Sequence, residues 1–565
     1  MQPYVLIQAG GTSMADEWVR GAIEAQMSGD LGLSHNRYLQ ALSLEPRHAV
    51  ATQNLACLLA QGGKVAESLL AIERALIIDP NNHIMMANHC LLLLEAGQLT
   101  QAVAMGREAL KLAPLNADGN PARLSLAVAL NADAKVNESA AMYQQAIDFQ
   151  PDHVGAATSL CFVKSLLDVT PDVLLESRQR WHAKHGFKGE KQPHTNSRDP
   201  ERPLRVGYVS GDFKHHSASS VFGPVVTGHS SEFEAYFYST MYVDPAKDAK
   251  AENFRKYANK RWRDIDKLSD ERADELIRAD KIDILVDLSG HTNGHRLALF
   301  TRKPAPVQVT AWGYVTGTGC PEIDYFFADP VVVPPEERKW FAEKVIDLPC
   351  VMTLEDMSEY HLKGDTMAPK RRNGYVTFGA FWRHEKMGGE CLRAYAEILK
   401  RVPTSKMLFK DEAFAKPDCQ RRVLSFMEGI APDRVMFGLV STRPEHLLAI
   451  QQVDLCLDCW PHGAGVVAME ALYMGVPVLT RYGRNICGRL ASTALTAMGR
   501  KEWVTRCSWG DFVDTAIAMA CNPSSLALPR KTLRRELLDS PVCRDYVRAV
   551  EARYRECWRT WCRGG

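Results

Sequence analysis

The 565-residue chain has almost no net charge: 68 Lys and Arg against 67 Asp and Glu leave a formal +1. No global field draws it to nucleic acid or to an anionic membrane. It has no uninterrupted apolar run of transmembrane length. The first 13 residues hold one short apolar stretch, with no basic n-region and no convincing cleavage site. Three chemical signatures are also missing. There is no Gly-rich P-loop ending in Gly-Lys-Ser or Gly-Lys-Thr, which argues against a nucleoside triphosphatase. There is no Gly-x-Ser-x-Gly elbow to support a hydrolase. No second Cys-x-x-Cys joins Cys456, Cys459 and His462 to complete a four-ligand zinc site. Cysteine itself is plentiful, at fifteen. The count is odd, the residues are scattered, and Cys57, Cys90, Cys161 and Cys456 sit inside apolar runs. They read as buried free thiols in a reducing compartment, so a cytoplasmic protein is expected.

What is present begins with a repeat. The blocks Ala41-Leu42-Ser43-Leu44-Glu45-Pro46, Ala75-Leu76-Ile77-Ile78-Asp79-Pro80 and Ala109-Leu110-Lys111-Leu112-Ala113-Pro114 recur every 34 residues. A fourth, Ala146-Ile147-Asp148-Phe149-Gln150-Pro151, follows after 37. A period of about 34 with a small residue, an apolar residue and a closing Pro is the signature of tetratricopeptide helix pairs. Small residues let paired helices approach, Gly62-Gly63 and Gly97 supply turns, and each Pro is expected to start the next helix. Stacked pairs of this kind bind polypeptides along one face.

After a polar stretch, short apolar strands alternate with helix-length segments. Leu204–Ser210, 235–238, 282–287 and 307–310 form one series. Residues 375–378, 406–409, 434–437, 454–457 and 476–480 form a second. Such alternation implies parallel, doubly wound sheets, and two series imply two lobes around a cleft. One long amphipathic helix is expected over about 541–562.

Ligands of doubly wound sheets bind at the carboxyl ends of the strands. The first strand leads into Asp212, His215 and His216, where a carboxylate and two imidazoles could accept a proton; a solvated polar turn fits the spacing equally. Gly-rich loops carry His291 and the Trp312-Gly313 pair; turn chemistry alone also accounts for them. The first strand of the second series leads to Arg383 and Lys386, a lysine that could lie against a diphosphate; taken singly, a surface position among 68 basic residues fits it as well. Leu457 to Val478 reads as strand, Gly-rich loop, helix, a Gly475 stop, and strand. The start of that helix, at Gly465, Val466 and Val467, offers N–H groups to an anion. Glu470, one turn in, could accept hydrogen bonds from a ribose.

With these residues in hand, the chain resembles the nucleocytoplasmic O-linked N-acetylglucosamine transferases, in a bacterial version. The motifs that carry the resemblance are Arg205-Val206-Gly207-Tyr208-Val209-Ser210 with Asp212-Phe213 and His216, then Arg302 with Pro304-Ala305-Pro306 and Gln308. Asp324-Tyr325, Lys400-Arg401-Val402-Pro403 with Ser405, and Cys456-Leu457-Asp458 complete them. The resemblance runs from about residue 30 to the end. It implies an α-solenoid of tetratricopeptide repeats followed by a two-lobed α/β GT-B glycosyltransferase of family 41. The implied divisions are 1–165 repeats, 166–202 connector, 203–355 N-terminal lobe, 356–374 inter-lobe linker, 375–540 nucleotide-sugar lobe and 541–565 C-terminal helix.

The implied reaction is a metal-independent, inverting transfer of N-acetylglucosamine from UDP-GlcNAc to Ser or Thr hydroxyls of polypeptides held by the repeats. UDP-GlcNAc is then a substrate and no cofactor is expected. By motif position, Asp212 and His216 are the catalytic candidates for proton removal or sugar orientation, and Lys386 contacts the diphosphate. Arg383 stands near the nucleotide, Arg443 near base or ribose, and His446 near uracil. Glu470 stands in place of a ribose-binding Asp, and Trp312 and Gly313 near the sugar; His291 joins the nucleotide-sugar set. The chain departs from the eukaryotic pattern at Gly465-Val466-Val467, which stands where a His-Thr-Thr run binds the phosphates. Val467 has no hydroxyl to donate, so backbone N–H groups must serve. Alternatives are a GDP-fucose-type transferase of the same architecture, a catalytically weak nucleotide-binding scaffold, and a small glycan or lipid acceptor. No nucleic-acid or membrane partner is expected.

Overall fold

The computed structural model describes residues 4–358, 368–439, 441–506 and 508–564. The chain divides into two units, Met1–Val163 with Ala415–Arg422, and Lys164–Phe414 with Val423–Gly565. The expected inter-lobe linker lies outside the described residues over 359–367.

The first unit is a series of helix pairs: α1 (Met14–Met27) with α2 (Leu31–Leu44), α3 (Ala49–Gln61) with α4 (Val65–Ile78), α5 (His83–Glu95) with α6 (Leu99–Leu112), and α7 (Asn120–Ala132) with α8 (Val136–Phe149). A further helix, Val154–Lys164, follows. The block alanines Ala41, Ala75, Ala109 and Ala146 are all fully buried, as close helix approach requires. Gly63 and Gly97 turn the pairs at φ +76°, and Ala134 holds the corresponding place in the fourth pair at φ +54°. At Gly63 the chain closes with Gly63 N–H on Ala60 C=O at 2.8 Å and Lys64 N–H on Leu59 C=O at 2.9 Å, the double bond that satisfies a helix end.

The prolines do not start the next helix as expected. Pro46, Pro80 and Pro151 lie in turns three residues ahead of it, at Ala49, His83 and Val154. Their effect falls on the residue before: Glu45 (φ −134°, ψ 87°), Asp79 (φ −129°, ψ 81°), Ala113 (φ −71°, ψ 134°) and Gln150 (φ −141°, ψ 82°) are all driven out of the helical region. Clash between the proline ring and the preceding residue does this, so Pro ends the second helix of each pair.

The second unit holds two parallel sheets. The first has strands β1 (Leu204–Ser210), β2 (Phe233–Ser239), β3 (Trp262–Asp264), β4 (Ile284–Asp287), β5 (Val307–Thr310), β6 (Tyr325–Ala328) and β7 (Lys344–Asp347), in the order β3-β2-β1-β4-β5-β6-β7. The second has β8 (Thr377–Ala380), β9 (Lys406–Lys410), β10 (Val435–Gly438), β11 (Leu455–Leu457), β12 (Val478–Arg481) and β13 (Val504–Thr505), in the order β10-β9-β8-β11-β12-β13. Strand direction is parallel throughout. In each sheet the chain runs outward one way, then returns and runs the other. The switch points lie between β1 and β4, and between β8 and β11. The expected C-terminal helix is shorter than read: it spans Tyr546–Cys562, and the helix Pro523–Asp539 ends before it. Among the described residues no helix is long and apolar enough to cross a membrane, and the cysteines are free, most of them buried.

Candidate nucleotide and transfer site

The two switch points set the search area, because strand order reverses there and opens a crevice at the carboxyl ends. In the first lobe β1 ends at Ser210, whose Oγ accepts the Asp212 N–H at 2.9 Å. The chain then reaches His216, the N-cap of the helix Ser217–Thr227. His216 Nδ1 accepts the Ala218 N–H at 3.2 Å. With Nδ1 occupied this way, the proton of the neutral ring sits on Nε2. Asp212 lies alongside, one oxygen 3.5 Å from His216 Nδ1 and the other 3.6 Å from Lys214 Nζ. Desolvation holds the His216 pKa below its usual value; the Asp212 charge opposes that, and Lys214 and Arg383 add to it.

The β4 loop is built differently. Asp287 is buried, and its carboxylate accepts the N–H groups of Ser289 and Gly290 and the Thr310 hydroxyl, at 2.8 to 3.1 Å. Burial pushes its pKa up to about 6. His291 follows, buried, with Nε2 2.8 Å from the Thr318 carbonyl and its ring edge-on to Trp181. Trp312, at φ +53°, is also buried, and its indole N–H donates to Tyr546 Oη at 2.9 Å. A Cβ on Gly313 would lie 1.5 Å from the Leu288 carbonyl oxygen, so only Gly fits there. The structure thus packs the His291 and Trp312 side chains into the first lobe. Asp212 and His216 are less buried than these two.

In the second lobe the β11 loop repeats the carboxylate device. Asp458 is buried; one oxygen accepts the Cys459 and Ala464 N–H groups, both at 2.8 Å, and the other the Thr480 hydroxyl at 2.6 Å. Burial raises its pKa to about 6. Cys459 Sγ donates to the His462 carbonyl at 3.0 Å, so this thiol serves the turn. The loop ends at Gly465, the N-cap of the helix Val466–Tyr473, which no side chain caps. Gly465, Val466 and Val467 are half-buried, whereas Ala468 onward is buried. The first-turn N–H groups therefore lack a side-chain cap, are partly accessible, and lie at the positive end of the helix dipole. Gly475, at φ +79°, ends this helix as expected.

Lys386 lies on the β8 loop, and its charge acts on Asp458 and His462 of the β11 loop. The β8 loop is tied to the β11 loop by Gly388 N–H on the Trp460 carbonyl at 2.8 Å and by a Met387–Pro461 bridge. The Lys386 ammonium forms no hydrogen bond or ion pair among the described residues. Desolvation lowers its pKa, and Arg383 lowers it further, against Cys459 and Glu385. Arg383 is exposed, 3.2 Å from Glu385, and its charge acts on His216, Lys386 and His462 alike. Arg383 is thus within electrostatic reach of His216 on the first lobe and of Lys386 and His462 on the second.

Beyond it, Glu470 is buried on the same helix as Val466. Its carboxylate pairs with Arg443 at 2.6 Å and His446 at 3.3 Å. Burial works against its charge, but the His446 hydrogen bond and the Arg443 cation outweigh it and hold the pKa below 4.5. Phe381 stands edge-on to the His446 ring at 6.1 Å. Sequence reasoning missed one participant. Glu355 accepts from Ser220 at 2.8 Å, pairs with Lys250 at 2.5 Å, and lies 3.6 Å from Arg443. It sits in an irregular segment after the last strand of the first sheet, where no periodicity marks it.

Known proteins share this chain's sequence pattern and fold. A model of glycosyl transferase family 41 matches residues 182–367 and 370–549. A probable UDP-N-acetylglucosamine–peptide N-acetylglucosaminyltransferase SPINDLY of Solanum lycopersicum is 33% identical over 411 residues, 70% of this chain and 43% of that protein. A probable UDP-N-acetylglucosamine–peptide N-acetylglucosaminyltransferase SEC of Arabidopsis thaliana is 29% identical over 381 residues, 64% of this chain and 38% of that protein. The chain thus spans less than half the length of these relatives. A solved mutant of Thermobaculum terrenum O-GlcNAc transferase superposes over 98% of this chain and 99% of its own, at 27% identity and a TM-score of 0.77.

Proposed function

We propose that this chain, which belongs to glycosyl transferase family 41, transfers N-acetylglucosamine from UDP-N-acetylglucosamine to Ser or Thr hydroxyls of polypeptides. The observation that carries the reading is the Lys386 ammonium, desolvated and without a hydrogen bond or ion pair among the described residues, on a loop tied to the β11 loop that leads into the uncapped start of the helix Val466–Tyr473. A desolvated cation and free helix-end amides are what a leaving diphosphate needs, since fixed donors in a dry site stabilise developing charge without reorganising. Backbone N–H groups of Val466 and Val467 do here what a hydroxyl side chain would otherwise do. Arg443, His446 and Glu470 form a charged shelf one turn further along, suited to a ribose and a planar base.

In the transfer step the acceptor hydroxyl oxygen attacks the anomeric carbon. The bond from that carbon to the β-phosphate oxygen breaks, and its electron pair leaves with UDP. Attack opposite the leaving group inverts the anomeric centre. The hydroxyl proton goes to Asp212. His216, whose Nδ1 is engaged by Ala218, donates from Nε2 and orients the reacting oxygen.

The test has two stages. Calorimetry should give saturable UDP binding, at least tenfold tighter than GDP. Incubation with UDP-GlcNAc and a Ser/Thr peptide library should then add one N-acetylhexosamine, in β linkage by NMR. Tighter GDP binding would move the reading to a guanosine donor. Binding of UDP without any transfer would leave a nucleotide-binding scaffold.

A further inference from the structure

Ahead of α1, residues Tyr4–Gly11 form no helix or strand, yet they are held down closely. The Asn88 amide on α5 grips Val5 from both sides: Oδ1 accepts the Val5 N–H at 3.0 Å and Nδ2 donates to the Val5 carbonyl at 2.7 Å. The Asn54 amide on α3 does the same to Ile7, at 3.0 and 2.9 Å. On α1, Arg20 donates to the Gly11 carbonyl at 2.8 Å and reaches that of Ala9 at 3.5 Å. Gln53 adds a bond to the Val5 carbonyl at 3.3 Å. Positions 20, 54 and 88 are separated by 34 residues, one repeat each. Each first helix therefore offers one polar side chain at the same place, and the segment crosses them in reverse chain order.

Apart from Arg20, whose bonds go to carbonyls alone, these rungs take both polar groups of a residue's backbone. They touch no side chain of the segment, so they do not depend on its sequence. The side chains contribute separately: Tyr4 packs against Ala56, Cys57, Ile72 and Met85, and Ala9 against Ala15, Val19 and Ile23. Asn54 and Asn88 are fully buried beneath it. Without a chain above them, the two primary amides would turn to water, so an extended backbone and solvent compete for the same donors and acceptors.

We propose that Tyr4–Gly11 is a built-in occupant of a backbone-reading ladder formed by Arg20, Asn54 and Asn88, and must leave before those rungs take another extended polypeptide. The segment is a competitor held in place by its own tether, and its effective concentration is on the order of millimolar. A free peptide of micromolar affinity is then excluded from the intact chain and admitted when the segment is gone. The inference concerns binding alone, so it stands or falls apart from glycosyl transfer.

The experiment compares the intact chain with one lacking residues 1–12, cut so that the Ser13–Asp16 cap of α1 is kept. The probe is a fluorescein-labelled peptide of sequence Pro-Tyr-Val-Leu-Ile-Gln-Ala-Gly-Gly-Thr, read by anisotropy. The shortened chain should bind it at least tenfold tighter than the intact one. Asn54→Ala with Asn88→Ala in the shortened chain should weaken binding by about tenfold or more, as expected for losing several net hydrogen bonds of about 1 kcal/mol. Should the shortened chain lose helical circular dichroism, the intact chain carrying Val5→Pro and Ile7→Pro gives the same reading. Those changes remove the two N–H donors and leave every helix residue in place, and they should open the ladder to the probe. Equal affinity for intact, shortened and proline-bearing chains, or binding indifferent to the two asparagines, would overturn the proposal and leave the segment as structural packing only.

Discussion

The two lobes of the second unit carry the same device and put it to opposite uses. In each, a buried Asp follows a central strand, accepts two backbone N–H groups of the next loop, and takes a Thr hydroxyl from the neighbouring strand: Asp287 with Thr310, Asp458 with Thr480. Burial raises both carboxyls to about 6. The loops then part ways. After Asp287 the chain fills its own crevice with His291 on the Thr318 carbonyl and with Trp312 on Tyr546. After Asp458 the chain runs to a helix whose first amides no side chain caps. A carboxylate clamp fixes the loop; what the loop does next decides between packing and binding.

The comparison is broken most severely at the glycines. Gly313→Ala places a carbon 1.5 Å from the Leu288 carbonyl and should prevent folding of the first lobe, a loss above about 4 kcal/mol, read as soluble yield and Tm. Gly465→Ala, the change at the open loop, meets the end of the Met352 side chain at 3.0 and 3.1 Å, which can move, and Leu490 Cδ1 at an ordinary 3.6 Å, and should fold. Next in size is Lys386→Ala. Turnover should fall by about 10²–10³, roughly 2.7–4 kcal/mol, with Tm unchanged or raised, because a desolvated charge has been removed. Wild-type turnover in that variant would reject the role of Lys386.

A finer cut removes one hydroxyl from each clamp. Thr310→Val and Thr480→Val should each lower stability by about 1–3 kcal/mol, since each takes one donor from a buried carboxylate. Only Thr480→Val should also weaken UDP binding; equal effects of the two on UDP would erase the distinction between the lobes. The smallest effect is on pH dependence. The folded pKa of Asp458, about 6, lies above the ordinary 3.8, so the folded state holds the extra proton. Stability contributed by this group is therefore present below about 4 and lost as pH rises to about 6. Asp458→Asn should remove that step from a plot of Tm against pH. Glu470 runs the other way: its pKa is below 4.5, so its contribution is complete above 4.5 and lost as pH falls through the lowered value.

Much of this was legible in the chain. The 34-residue blocks gave the helix pairs, and the alternation of short apolar strands with helices gave two parallel sheets. The rest was hidden for physical reasons. The strands β3, β7 and β13 are short sheet edges, so Trp262–Asp264, Lys344–Asp347 and Val504–Thr505 carry too few buried positions to register, and β6, Tyr325–Ala328, is buried but only four residues long. The repeat prolines were read one element late, because their influence acts on the preceding residue. At the proposed site, Asp212 and His216 lie side by side after β1, Arg383 and Lys386 follow β8, and Gly465 ends the loop after β11, so each stands beyond the carboxyl end of a strand at a switch point. His291 and Trp312 sit on similar Gly-rich loops, but only packing shows that their side chains turn inward. Arg20, Asn54 and Asn88 did carry a signal, a polar residue recurring at the repeat period; the helical pattern of small and apolar residues drew attention away from it.

The most direct measurement is a crystal structure with UDP bound. The account predicts the diphosphate within hydrogen-bonding distance of the Val466 and Val467 N–H groups and of Lys386 Nζ, with the ribose toward Glu470. An empty second-lobe crevice under saturating UDP, or the nucleotide seated on the Gly290 loop of the first lobe, would contradict it.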